Sequence, residues 1–272
     1  MTQQQPAQSS NSGTQATVQP PLPVLSPLTR PGPAGEELTP EQKRVLLVAA
    51  HPDDPEFSSA GTVANWVRDG IDVVFVLVTS GDKGTPDHTM TGERLSGMRE
   101  EEQRAAAARL GVTQVHFLRY PDGELMPSLE LRGAITRMIR MFKPYAVLTH
   151  DPLTLFYNNE FINHPDHRAV GLATVDAIYP TARDPLQFPE QTREGLEPHK
   201  VKEIYLWGSD QPNVVVDISD TIQEKIEALK FHASQLGEAA DLEERIKTRS
   251  AQVAEPAGLR YGEAFRRIVM RS

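Results

Sequence analysis

Two textures alternate along most of this chain. Short runs of consecutive apolar residues, Arg44–Ala50 (RVLLVAA), Ile71–Thr79 (IDVVFVLVT), Gln114–Leu118 and Tyr145–Thr149, have the pattern of strands buried on both faces. Between them, apolar residues recur every three or four positions, the period of a helix. The first such segment covers 57–69, with Phe57, Ala60, Val63, Ala64 and Val67 on one stripe, and Gly70 stands where a glycine ends a helix. Further helices are expected over 93–110 (closed by Gly111), over 129–142 (with Leu129, Ala134, Ile135, Met138, Ile139 and Phe142 as the apolar stripe) and over 165–179. Strand and helix in turn predict a single Rossmann-like layered α/β domain, with a mostly parallel sheet and helices on both faces. In such sheets the ligand crevice opens beyond the carboxyl ends of the strands.

The remainder is less regular. Residues 80–92, 151–163 and 180–200 read as loops that would shape a pocket. Ile204–Trp207 and Val214–Asp217 read as further strands, and 219–235 and 241–254 as helices. Residues 1–39 are dominated by Gln, Ser, Thr and Pro, and eight of the chain's 22 prolines fall in its first 40 positions. Such a segment buries too little apolar surface to offset its ordering entropy. A disordered tail over 1–39 and a folded domain over 40–272 are therefore expected.

With 272 residues the chain can bury a sizeable core without staples. It has no cysteine, which excludes disulfides, thiolate metal sites and a cysteine nucleophile. Any metal must be held by His, Asp and Glu. The net charge of -9 argues against nucleic acid or an anionic membrane as the main partner. No run reaches the roughly 18 apolar residues of a membrane span, and the N-terminus lacks a secretory pattern. A cytoplasmic protein is expected.

Two polar clusters interrupt the pattern. Residues 48–56 read VAAHPDDPE, so His51, Asp53 and Asp54 follow directly on the first apolar strand. Neutral imidazole and carboxylate are ordinary zinc ligands, although Pro and Asp are also common turn and cap residues. No G-x-G-x-x-G follows the strand, so a dinucleotide-binding reading fails. The second cluster is His164-Pro-Asp-His167, at the start of a predicted helix, where the three-residue spacing puts both histidines on one face. A catalytic zinc commonly takes three protein ligands and leaves one position to water. His51, Asp54 and His167 meet that count and leave Asp53 and His164 for proton work and charge stabilisation.

The paired motifs AHPDD and HPDH, in this order and on this alternation of elements, resemble the PIG-L/LmbE-like family of metal-dependent deacetylases. The resemblance runs from about Val45 to the helix after His167. It implies that His51, Asp54 and His167 bind Zn²⁺, with Fe²⁺ or another divalent ion as alternatives. It implies Asp53 as general base, and His164 as oxyanion stabiliser or general acid. Asp166 would orient a histidine, and Arg99 would contact substrate. Many members carry Glu directly after the double Asp; here Pro55 intervenes and Glu56 follows. FLRYPDGEL, 117–125, also resembles the family, with Asp122 in a tight turn as the plain alternative.

The activity so implied is removal of an acetyl group from an N-acetylated amino sugar or related amide by metal-activated water. The partner is then a small amino-sugar substrate, and a homo-oligomer stays open. Cleavage of another amide, such as a thiol conjugate, and a non-catalytic metal- or sugar-binding member are the alternatives. A non-haem iron oxygenase shares the ligand types but not the alternation of strand and helix. Elsewhere, His150 and Asp151 end a predicted strand and could line the pocket, and His88 sits in a loop that could cover it. His116, His199 and His232 read as structural or exposed, Trp207 as packing, and Glu100–Glu102 as a solvated helix face in which Glu102 could pair with Arg99.

Overall fold

The computed structural model describes residues 24–25, 31–32, 38–157, 160–237 and 240–271. The apolar runs become strands, β2 (Arg44–Ala49), β3 (Asp72–Thr79), β4 (Gln114–Tyr120), β5 (Ala146–His150) and β8 (Glu203–Trp207). They lie parallel in the order β4-β3-β2-β5-β8. Helices α1 (Asp54–Arg68), α2 (Gly92–Arg109), α3 (Leu129–Phe142) and α4 (Pro165–Ile178) connect them. Odd positions of β2 (Val45, Leu47, Ala49) pack with α1 and α2, and even positions (Leu46, Val48, Ala50) pack with α3 and α4. Each of these residues is fully buried, and a buried Leu contributes roughly 1.5–3 kcal/mol. From Val45 to Ala49, β2 therefore carries no polar position, and the two helical layers follow from that.

From β2 the chain moves outward through β3 and β4, then returns to the other side of β2 to add β5 and β8. The strand order reverses between β2 and β5, which makes the crevice at their carboxyl ends the place where ligands bind in such sheets. Gly171 lets α4 come close here: a Cβ on it would lie 2.5 Å from the His150 carbonyl oxygen.

Four segments differ from the sequence reading. The region 151–163 is not plain loop but carries a hairpin of β6 (Phe156–Tyr157) and β7 (Phe161–Ile162). The helix expected over 219–235 is two, α6 (Ile222–Leu229) and α7 (Ala233–Leu236), because His232 turns inward between them to a buried glutamate. The 180–200 loop contains α5 (Pro189–Arg193), and α8 (Leu242–Ala254) forms as expected. Beyond it β10 (Gly262–Val269) was not anticipated, since Glu263, Arg266 and Arg267 mask its apolar positions. It runs antiparallel between β8 and β9 (Val214–Asp217). Much of the 1–39 segment lies outside the described residues. Within it, β1 (Val24–Leu25) pairs with β9, and the Gly32 N–H donates to Glu203 Oε1 at 3.0 Å.

β10 also carries a buried charge to α1. Glu263 accepts from the Gly61 and Thr62 N–H groups, and pairs with Lys225 Nζ at 2.6 Å. Lys225 in turn donates to the Phe57 carbonyl at 2.8 Å. Both side chains are under 5% exposed. Removing one member leaves the other charge without its counter-ion, which costs about 3–5 kcal/mol. Lys225→Met is expected to lower unfolding stability by that amount in denaturant titration; a loss under about 1 kcal/mol would show the pair to be electrostatically idle.

Candidate active site

The carboxyl end of β2 delivers His51, and the chain then turns sharply into α1. Asp53 stands at the turn with φ +92°, ψ −26°, and Asp54 opens the helix. Pro55 fits at the second helical position, where an N–H would have no partner in the helix. The His51 N–H donates to Asp54 Oδ2 at 2.7 Å, which fixes that carboxylate beneath the end of the strand. Three further elements converge on it: β5 brings His150, the 121–125 turn brings Asp122, and the start of α4 brings His164, Asp166 and His167.

Ring nitrogens and carboxylate oxygens here form three overlapping sets close enough to hold a metal: His51, His164 and His167; Asp54, His150 and His167; and His51, Asp122 and Asp166. Hydrogen-bond chemistry separates them, because a neutral imidazole has one donor and one acceptor nitrogen. Asn163 Nδ2 donates to the Thr154 carbonyl at 2.8 Å, which turns Asn163 Oδ1 toward His167 Nδ1 at 3.1 Å. His167 Nδ1 therefore carries the proton, and the Nε2 lone pair faces Asp54 Oδ1 at 3.1 Å. His51 Nε2 lies 3.0 Å from Asp122 Oδ1 and 3.3 Å from Asp166 Oδ2, so in the neutral ring it holds the proton. The Nδ1 lone pair then faces Asp54 Oδ2 at 3.5 Å. With both rings neutral, two lone pairs confront one carboxylate, an arrangement that repels unless a proton or a cation lies among them, and a divalent ion fits it.

His150 is approached by donors on both sides. The Trp207 indole N–H, which can only donate, reaches His150 Nδ1 at 3.0 Å, and the Ala50 N–H donates to Nε2 at 3.2 Å. The same Nε2 lies 3.3 Å from Asp54 Oδ2. His150 stacks on His167 with ring centroids 4.2 Å apart. His164 caps α4: its Nδ1 accepts from the Asp166 N–H at 3.2 Å, leaving Nε2–H free at the exposed rim.

The charges follow from burial. Burial alone would raise the pKa of Asp54, but His167 and His150 outweigh it and hold it well below the usual carboxylate range. Burial lowers that of His51, but hydrogen bonds to Asp122, Asp166 and Asp54 leave it well above the usual value in the metal-free protein. Asp53 behaves differently from its neighbour: burial and the Asp54 charge push it up to about 7, against the opposing pull of Arg99, His232 and His51. Burial, with His51 and His167 nearby, lowers His164.

Arg99, expected to contact substrate, lies beneath the motif. It is 4% exposed and donates to the Pro52 carbonyl at 2.6 Å, with Asp53 Oδ2 at 3.5 Å. Gly81 makes room for it, since a Cβ there would lie 2.3 Å from Nη1. Glu102 accordingly bonds Ser234 rather than Arg99. Glu100 is not solvated but buried against Ser80, Arg104 and Arg119, and hydrogen bonding to Arg119 leads the causes that bring it down to about 2. Asp166 Oδ2 lies 3.3 Å from His51 Nε2, and Asp122 Oδ1 lies 3.0 Å from the same nitrogen. His88 is exposed.

A family model described as PIG-L, GlcNAc-PI de-N-acetylase, matches residues 46–178, the stretch from β2 to the end of α4 that contains both histidine motifs. Diacetylchitobiose deacetylase of Thermococcus kodakarensis is 34% identical over 226 residues, covering 82% of this chain and 82% of that protein. The chain belongs to the PIG-L family. Another relative of this PIG-L protein, the 1D-myo-inositol 2-acetamido-2-deoxy-alpha-D-glucopyranoside deacetylase of a Mycobacterium species, is 30% identical over 271 residues, covering 80% and 82% of the two chains. Among solved structures, N,N'-diacetylchitobiose deacetylase from Pyrococcus horikoshii superposes with a TM-score of 0.78 at 31% identity, over 84% of each chain. Among the described residues, no helix is long and apolar enough to cross a membrane.

A carboxyl whose pKa is raised on folding binds a proton that the unfolded chain has lost, so it contributes instability as pH rises from the unfolded value toward the folded one. In metal-free protein, Asp53→Asn is expected to gain stability relative to the native chain as pH rises from 3.8 to about 7. Denaturant midpoints across that window check this; a constant difference would mean that Asp53 ionises as it does in water.

Proposed function

We propose that this protein is a zinc-dependent hydrolase that removes the acetyl group from an N-acetylated amino sugar. The observation that carries the reading is the pair of imidazole lone pairs, His51 Nδ1 and His167 Nε2, turned toward the Asp54 carboxylate. These three residues would hold the ion, and two nitrogens with one carboxylate suit zinc while admitting iron(II). When bound, such an ion lowers the pKa of a coordinated water from about 15.7 toward about 7 and polarises a carbonyl. The deacetylase names of the relatives support the substrate class.

Asp53 then acts as general base. In the metal-free protein burial holds its carboxyl up at about 7, and a carboxylate within hydrogen-bond reach of a coordinated water can take its proton. The same carboxyl returns that proton to the departing amine. His164 hydrogen-bonds the developing oxyanion through Nε2–H, which it can do as a neutral ring because Nδ1 is engaged by the Asp166 N–H. Asp122 and Asp166 hold His51 in its ligating tautomer, Asn163 does the same for His167, and Arg99 steadies Asp53.

The test is metal content by elemental analysis together with amine release from N,N'-diacetylchitobiose. Native protein is expected to hold metal and release amine. Asp53→Ala should keep the metal and lose about 10²–10⁴-fold in kcat, whereas His167→Ala should lose both. Failure to bind metal after reconstitution, or an active Asp53→Ala, would sink the reading. Metal bound with no amine released would instead point to another amide or to a binding protein. Asn163→Leu is expected to weaken metal binding by about 10–100-fold in chelator competition; unchanged affinity would show that Asn163 does not set the His167 tautomer.

A further inference from the structure

Beneath Asp53 runs a line of buried polar groups with no part in the reaction just described. Gln103 of α2, Glu56 of α1 and His232, between α6 and α7, are each fully buried. The Asp53 N–H donates to Gln103 Oε1 at 2.9 Å, and Gln103 Nε2 donates to Glu56 Oε1 at 2.8 Å. Glu56 Oε2 lies 3.1 Å from His232 Nε2. The direction is fixed from the Asp53 end. A backbone N–H can only donate, so Gln103 turns its oxygen to Asp53 and its amide nitrogen to Glu56.

The residue held in this way is the one whose backbone is strained. Asp53 sits at φ +92°, and a non-glycine residue there costs of order 1–3 kcal/mol and persists only where its surroundings over-determine it. Its side chain makes no capping bond to α1, and Arg99 lies beside it. The two peptide planes that flank its Cα are both held: the carbonyl accepts from the Glu56 and Phe57 N–H groups, and the N–H donates to Gln103. The bond to Gln103 comes from a different helix and spans 50 residues of sequence, so it ties the turn to α2.

We infer that Gln103, braced by Glu56 and His232, is a positioning residue for Asp53, its side-chain oxygen setting the direction in which the base projects. This rests on the reading of Asp53 as general base. Catalytic groups must be held within fractions of an ångström, and a displacement of about 1 Å can cost 10²-fold in rate. Replacing a group that orients a reacting one commonly costs 10–100-fold.

The experiment uses metal-loaded protein and N,N'-diacetylchitobiose. Gln103→Leu is expected to lower kcat by about 10–100-fold with KM within about twofold and metal content unchanged. Gln103→Glu keeps an oxygen toward the Asp53 N–H and, when protonated, a donor toward Glu56, and should recover kcat to within about threefold of native. In an Asp53→Ala background, Gln103→Leu should change the residual kcat by less than about twofold, because its effect runs through Asp53. The same fractional loss in both backgrounds, or a fall in melting temperature with kcat intact, overturns the positioning role. So does failure of both Gln103→Leu and the straight-chained Gln103→Met to fold, since the network would then be serving the fold itself. An Asp53→Ala variant with native turnover would instead remove the base reading on which the inference stands.

Discussion

A carboxylate taken out of water must be answered by protons or cations, and much of this site answers the one on Asp54. The His51 N–H donates to it, His150 Nε2 lies 3.3 Å from it, and His51 Nδ1 and His167 Nε2 face it. Each of those rings is held from behind: His51 by Asp122 and Asp166, His150 by Trp207, His167 by Asn163. Those supports come from the 121–125 turn, β8 and the approach to α4. The sheet order explains why this is feasible. β2, β5 and β8 are adjacent and parallel, so their carboxyl ends bring His51, His150 and Trp207 to one edge.

Two neighbouring carboxyls in one motif thus have opposite surroundings. Asp54 has imidazoles around it and stays ionised; Asp53, one residue earlier, is turned by its left-handed backbone toward Arg99, whose pull does not offset burial and the Asp54 charge. Adjacent groups pushed apart in pKa are what acid–base chemistry near neutral pH uses. The turn at Asp53 makes the separation, because an ordinary helical approach would bring both side chains into a similar environment.

The layered fold was legible from apolar runs because the central strands β2 and β3, buried on both faces, hold unbroken apolar stretches over Val45–Ala49 and Val73–Val78. Histidines and aspartates in two motifs marked the cluster. What was not legible is whatever depends on contact across the sheet. His150 ends a predicted strand, but only the register of β5 against β8 joins it to Trp207. Asn163 reads as one more polar loop residue until the hairpin before it turns its amide toward His167. Gln103 looks like any polar position on a helix, and Arg99 looked free for substrate, because a helical period does not tell which polar face is buried. β10 was missed for a related reason: charges on a strand read as solvent exposure, yet Glu263 is 4% exposed and Arg267 pairs with Glu203.

The position of β10 has a consequence for synthesis. β9 is made well before β10, yet it reaches the main sheet only through β10, which lies between it and β8. While the ribosome is still elongating, β9 therefore has no hydrogen-bonding neighbour in the main sheet, and Lys225 has no counter-ion at Glu263. Domains generally form from the N-terminal side during translation, and the residues of the histidine cluster, 51 to 167, emerge early with the strands that support them. The edge of β9 that faces β8 across the gap therefore stays unpaired until Gly262–Val269 is made and fills it.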